Sequence, residues 1–258
     1  MIIENEFPIL EYSTEHLAII NPRPSEKPFP RLCLMTFFEE VLTSFLSQYE
    51  NEPIGAYSSE MRKFPIYKLN YNGTEICLVQ AVVGSGSIAM MTDYLYGKGV
   101  DVLLCCGSCG VLADIPAGDV IIPVRALRDE GASYKYLPPS RYIELNQEPV
   151  WAFKKALEKH AIPYTEGTTW TTDGFYRETK EMVAHRIQQG CKVVEMECAT
   201  MTAVAAFRHK IFGQLLYSGD ILIGSADYDD RKWYENLSAR ERIFYLTLEA
   251  LIELETNE

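Results

Sequence analysis

The chain has 258 residues, 47% apolar and 23% charged, a globular composition with enough length to bury a sizeable core. Its 24 basic and 36 acidic residues leave a net charge of −12. That balance argues against nucleic acid and anionic membranes as partners and requires a local arginine cluster for any anionic small substrate. No apolar run reaches the roughly 20 residues of a membrane helix. The opening MIIENEFPILEYSTE lacks the basic start of a secretory leader, and seven cysteines within apolar patterns suit free thiols in a reducing cytoplasm.

Residues 1–31 read as irregular, because Pro22, Pro24, Pro28 and Pro30 interrupt any helix. Thr36 is expected to cap a helix reaching Tyr49, with Phe38, Val41, Leu42, Phe45 and Tyr49 on one face. Residues 64–70 and 76–83 form an expected hairpin turning at Asn72-Gly73. Gly84-Ser85-Gly86 leads into a helix over 87–96 that ends at Gly97 and Gly99. Residues 102–106 read as a buried strand, Gly107-Ser108-Cys109-Gly110 as a tight loop and 119–127 as a second buried strand. Small residues let a ligand approach the backbone, and the N–H groups of this loop are expected to converge on an anion as a nest. The active site is placed there.

Pro149 suits a helix first turn, with Val150, Phe153 and Leu157 inside. A strand over 165–172, a helix opened by Thr179 and stopped by Gly190, a strand over 191–196 and an Ala-rich helix over 197–210 follow. The next strand, 211–217, is expected to break at Gly219, and Ser238-x-x-Glu241 to box the last helix, with Phe244, Leu248 and Leu251 inward. Strands alternating with helices across 1–258 predict a single-domain, three-layer αβα sandwich with a central mixed, mostly parallel sheet.

Gly84-Ser85-Gly86-Ser87-Ile88-Ala89 matches a dinucleotide fingerprint, but the ribose-binding acid that should end the next strand is replaced by Cys105 and Cys106. A close strand-to-helix turn beside another ligand is the better reading. Cys106-x-x-Cys109 has no second pair, and His16, His160, His185 and His209 are scattered, so no metal site is expected. Glu195-Met196-Glu197 puts two acids at a strand-to-helix junction. Capping accounts for one. The other, at the edge where open α/β sheets bind ligands, is a candidate to accept hydrogen bonds from a vicinal diol such as ribose hydroxyls.

Taken in order over residues 62–220, Gly107-Ser108-Cys109-Gly110, the segment from Arg128 through Ser133, Thr172-Asp173-Gly174-Phe175-Tyr176 and Glu195-Met196-Glu197 resemble the class I nucleoside phosphorylases. That family covers purine nucleoside and uridine phosphorylases and related nucleosidases. The segment from Arg128 and the Glu195 segment with Ala199-Thr200 look closer to the uridine branch. The resemblance implies phosphate held by Gly107 and Ser108, with Gly84 on the phosphate side and Arg62 and Arg128 as candidate cations. It also implies ribose on Met196, Glu197 and Ser108, a base on Phe175 with Tyr176 and Arg177 nearby, and Glu197 and Asp220 as catalytic candidates.

Three departures stand out. The family's arginine before the Gly-Ser segment falls at Cys105, its Gly-Asp-Pro phosphate loop has Asn21-Pro22-Arg23 as nearest remnant, and its uracil-reading Gln and Arg are not matched. The resemblance implies a uridine-like nucleoside phosphorylase using inorganic phosphate as co-substrate, without metal or organic cofactor. It implies a cytoplasmic homo-oligomer, a dimer or trimer of dimers. The alternatives are a purine nucleoside phosphorylase, a phosphate-independent nucleosidase and a non-catalytic nucleoside-binding module.

Overall fold

The computed structural model describes residues 1–223 and 228–255. A small hairpin, β1 (Ile2–Ile3) with β2 (Tyr12–Ser13), precedes the body of the fold. The body is one mixed sheet of β3 (Leu32–Thr36), β4 (Glu52–Ser58), β5 (Lys63–Tyr71), β6 (Thr74–Gln80), β7 (Val102–Val111), β8 (Val120–Asp129), β9 (Tyr142–Glu144), β10 (Tyr164–Thr172), β11 (Cys191–Glu195) and β12 (Ile211–Ile221). Its order is β11-β10-β8-β12-β7-β3-β6-β5-β4, with β9 on β8. β12, β7, β3 and β6 run parallel, as do β8, β10 and β11. The β4-β5-β6 flank, β9, and the β12–β8 and β11–β7 contacts are antiparallel, so the sheet is less parallel than expected.

Helices cover both faces. α1 (Glu39–Leu46), α4 (Gln147–Lys159) and α7 (Leu237–Glu255) bury Phe45, Phe153 and Phe244 against Leu34, Leu104 and Leu215. On the other face, α2 (Ser85–Gly97) and α6 (Cys198–Arg208) bury Ile88, Met91, Leu95, Met201 and Val204 against Met35, Leu103 and Cys105. The period-2 alternation along β7 explains this split: Val102, Leu104 and Cys106 point to one layer, Leu103 and Cys105 to the other. α3 (Ser133–Tyr136) is a single turn, and α5 (Lys180–Gln188) flanks β11.

The hairpin forms at Asn72 (φ 53°) and Gly73 (φ 95°), the positive-φ pair that a two-residue turn demands. Thr179 caps α5, accepting from the Met182 N–H at 3.2 Å. Several expectations are corrected. Thr36 ends strand β3 instead of capping a helix; its Oγ1 accepts from the Phe38 N–H, and the helix starts at Glu39. Ser238 lies inside the first turn of α7, and Asn236 Oδ1 takes the Ala239 N–H at 3.2 Å. β12 runs on through Gly219 to Ile221. β7 continues through Gly107-Ser108-Cys109-Gly110, with Leu216, Tyr217 and Ser218 of β12 opposite Gly107, Ser108 and Cys109.

Candidate active site

Where the parallel strands end, a cavity of about 550 Å³ opens, bordered by Ser108, Met196, Glu197, Phe175 and Asp220 among others. It lies where Ser108–Gly110 of β7, the end of β11 running antiparallel to it, and the end of β12 converge. It brings together five of the candidates that the sequence scatters over more than 100 positions.

Glu195 and Glu197 divide the two roles open to a carboxylate at this junction. Glu195 accepts from Thr169 Oγ1 (3.1 Å), Thr171 Oγ1 (2.6 Å), the Glu197 N–H (2.7 Å) and the Cys198 N–H (2.6 Å). It is the cap of α6, buried but saturated with donors. Burial raises its pKa, and those four donors work against the rise. Glu197 Oε1 accepts from the Gly84 N–H at 2.7 Å. Burial first, and the Glu195 charge second, lift the Glu197 carboxyl to about 8, against the N–H groups of Gly84 and Met196. Of two adjacent buried carboxyls, the one with fewer donors holds the proton, and that is Glu197.

Gly84 sits at φ 92°, ψ 146°, a conformation that glycine adopts readily, and this aims its N–H at Glu197. Gly84 therefore orients Glu197 and is not among the residues that border the cavity. The neighbouring turn is tied down by Asp173, which accepts from Ser85 Oγ at 2.5 Å and from the Gly131 N–H at 2.9 Å.

The expected anion nest does not form. Gly107 and Ser108 are extended residues of β7, and successive N–H groups of a strand point to opposite edges, so they cannot converge. Gly107 is small because Phe37 lies over it: a Cβ there would come within 2.9 Å of Phe37 Cδ2. Phe37 and Phe38, at the turn between β3 and α1, themselves border the cavity. Cys106 and Cys109 pack into different core clusters, Cys106 Sγ on Thr36 Oγ1 and Cys109 Sγ on the Tyr217 carbonyl.

Arg128 is buried and ties down the 133–140 segment. It donates to Ser133 Oγ (2.9 Å), the Pro138 carbonyl (2.8 Å), Ser140 Oγ (2.8 Å) and the Leu137 carbonyl (3.2 Å), away from the cavity. Arg62 stacks on Phe64 at 4.6 Å, pairs with Glu39 at 3.6 Å and hydrogen-bonds Gln80, which borders the cavity. Tyr176 is 91% exposed and Arg177 is also exposed, and neither borders the cavity; the 3₁₀ turn Phe175–Arg177 turns only Phe175 inward. The remnant Asn21-Pro22-Arg23 lies elsewhere, with Pro22 against Gly97.

Two charged residues that border the cavity were not legible as site candidates in the sequence. Arg240, on α7, pairs with Glu40 at 2.9 Å, donates to the Tyr234 carbonyl at 2.8 Å and stacks on Phe38 at 4.6 Å. Glu178, just after the 3₁₀ turn, faces Asp220. Asp220 Oδ2 accepts from Tyr228 Oη at 2.8 Å, and burial raises the Asp220 carboxyl against that bond. Among the described residues no group of three or more His, Cys, Asp or Glu gathers as a metal site, and no helix is long and apolar enough to cross a membrane.

The model of the Phosphorylase superfamily matches residues 31–252. A guanosine phosphorylase of Halorubrum lacusprofundi is 27% identical over 201 residues, 76% of this chain and 83% of that one. Among solved structures, an AMP nucleosidase of Bacteroides thetaiotaomicron superposes with a TM-score of 0.70 at 25% identity, covering 89% of this chain and 91% of that one. A purine nucleoside phosphorylase of Toxoplasma gondii superposes with a TM-score of 0.77 at 18% identity over 90% and 94% of the two chains, a likeness of fold. Nucleoside phosphorylases of this family use phosphate as co-substrate and need no cofactor. With the family model spanning most of its length, the chain belongs to the phosphorylase superfamily, in the class I nucleoside phosphorylase family.

Proposed function

We propose that the protein cleaves the N-glycosidic bond of a nucleoside, with phosphate as nucleophile and a purine as the favoured base. The observation that carries this reading is that Met196, Glu197, Phe175 and Asp220 share one cavity at the strand ends. Glu197 accepts from the ribose hydroxyls, fixing the sugar as positive charge builds at its anomeric carbon. A phosphate oxygen bonds to that carbon as the carbon–nitrogen bond breaks, and the bond's electron pair leaves with the base. Asp220, raised by burial, delivers a proton to the departing ring nitrogen.

A purine is preferred to the uridine-like base that the resemblance implies. The segment from Arg128 to Ser133, which carries much of the uridine likeness, is a buttress here. Glu130 Oε2 accepts from the Ala132 and Ser133 N–H groups and Thr200 Oγ1, and Arg128 pins the following residues. These contacts give no information on the base. The named activity of the guanosine phosphorylase relative is in line with a purine.

A second reading, hydrolysis, is favoured by one observation. Phe37 and Phe38 wall the cavity beside Ser108, Cys105 is buried in the core, and Arg240, the cavity's cation among the described residues, is paired with Glu40. The AMP nucleosidase likeness is in line with it. Guanosine, inosine and uridine incubated with and without phosphate distinguish the readings. Base release that needs phosphate and yields ribose 1-phosphate is the expected result. Free ribose without phosphate transfers the assignment to hydrolysis, and no release of base from any of them overturns both.

A further inference from the structure

We propose that a second hollow, bordered by Arg128, Arg141 and Arg186, binds the phosphate group of a small organic phosphate monoester. It shares no residue with the cavity at the strand ends, and the proposal stands apart from the nucleoside-cleavage reading.

The hollow, of about 580 Å³, lies between the end of β8, the segment 134–141 and α5. That volume is in the range of small-molecule sites. The fold gathers its cations from three places. Arg128 and Asp129 end β8, Arg141 directly precedes β9, which pairs with β8, and His185 and Arg186 lie side by side on α5. The segment between β1 and β2 closes one side: Lys135 Nζ donates to the Pro8 carbonyl at 3.3 Å and the Ile9 carbonyl at 3.2 Å, and Leu10 borders the hollow.

The charge there is out of balance. Asp129 is committed, since its Oδ2 accepts from Arg186 Nη2 at 2.7 Å and from Trp170 Nε1 at 2.9 Å. Arg128 is only 4% exposed, yet it bonds neutral acceptors alone and has one Nη2 hydrogen left over. Arg186 Nε is buried without an acceptor. Among the described residues the Arg141 side chain has neither a hydrogen bond nor an ion pair. Burial pulls the Arg128 guanidinium down from its ordinary pKa, with Tyr134 and Glu130 opposing. In a chain of net charge −12, two guanidiniums without a carboxylate on one hollow call for an anion from outside. A phosphate monoester carries nearly two charges and three terminal oxygens, which suits forked donors arriving from different elements; a carboxylate has one charge and two oxygens. Leu10, Leu127 and Met182 add apolar wall for the organic part of the ester, which a bare phosphate ion would leave empty.

The test is calorimetric titration with phenyl phosphate, ribose 5-phosphate and inorganic phosphate. The proteins are the wild type, Arg141→Glu, Arg240→Gln as the control for the catalytic cavity, and Lys27→Glu, the same charge change at an exposed position that borders neither hollow. Arg141 is exposed and its side chain holds no partner, so Arg141→Glu should keep the wild-type melting temperature. Both monoesters are expected to bind the wild type more tightly than inorganic phosphate. Arg141→Glu should weaken them by about tenfold or more, the loss of one charge-assisted bond, while Lys27→Glu and Arg240→Gln leave them unchanged. No binding of either monoester at millimolar concentration, or binding unmoved by Arg141→Glu, overturns the proposal. Binding lost in Arg240→Gln and kept in Arg141→Glu puts the anion in the catalytic cavity and overturns it too. Inorganic phosphate binding as tightly as the monoesters refutes the assignment of an organic ligand.

Discussion

Glu195 and Glu197 are two residues apart and chemically identical, yet their surroundings give them different tasks. Both border the cavity, but four donors saturate Glu195 at the start of α6, while Glu197 accepts from the Gly84 N–H. Glu197→Gln should lower kcat/KM at least about 10- to 100-fold, the cost of a lost charge-assisted bond, with little change in melting temperature. Near-wild-type turnover in a folded variant removes Glu197 from the sugar site. The pH dependence follows from the same carboxyl. Ribose hydroxyls donate, so they bind its ionised form, which fills only as pH rises towards about 8. kcat/KM should therefore climb from pH 6 to 8, and nucleoside binding should release a proton, seen as buffer-dependent heat; a flat profile contradicts the assignment. Stability runs the other way. The folded pKa of Glu197 lies above its ordinary 4.5, so its contribution is fully present below about 4.5 and is lost as pH rises through about 8. Arg128→Ala tests the correction at that position. It should destabilise the fold by about 1–3 kcal/mol by removing its four hydrogen bonds and leaving the buried Ser133 hydroxyl without its partner, and leave the phosphate KM of the remaining folded enzyme unchanged. A selective rise in the phosphate KM would restore Arg128 to the site.

The turns that end the strands build the site. The turn into α2 depends on Gly84, whose φ of 92° and ψ of 146° other residues reach only at a cost of about 1–3 kcal/mol. An added Cβ would meet nothing within 4 Å, so Gly84→Ala is a test of conformation without crowding. It should lower the melting temperature by several degrees and reduce kcat/KM, because the N–H that holds Glu197 is re-aimed. Unchanged stability and turnover would show that the strained backbone is not needed. The continuous β7 carries a related lesson. Its Gly-Ser-Cys-Gly run looks like a loop, yet β12 supplies a neighbour at each step from Gly107 to Cys109, and the small size of Gly107 accommodates Phe37.

At the scale of the molecule, the first 31 residues leave large apolar side chains in water: Leu17 is 79% exposed, Ile19 105% and Ile20 89%. Large exposed apolar side chains close together in sequence are the raw material of an association surface. A homo-oligomer is the expected assembly, so sedimentation should give a multiple of the 29.4 kDa chain, and Leu17→Glu with Ile20→Glu should shift it towards monomer. An active wild-type monomer at micromolar concentration refutes this. The signals legible in the chain were those whose cause is local. Asn72-Gly73 needs only its own φ angles, Thr179 only the Met182 N–H, and the alternation of apolar strands and helices only nearby residues. Strand β3 is hidden because a four-residue apolar run before Thr36 differs little from a lead-in to a helix, and edge strand β4 because Pro53 disguises it. The sequence by itself determined the αβ layering, the family resemblance and the carboxylates at the Glu195–Glu197 junction. Only the tertiary structure decided that Arg128 is a buttress, that Phe37 covers Gly107 and that Glu178 meets Asp220, because each of those outcomes depends on a partner brought close by sheet pairing and packing.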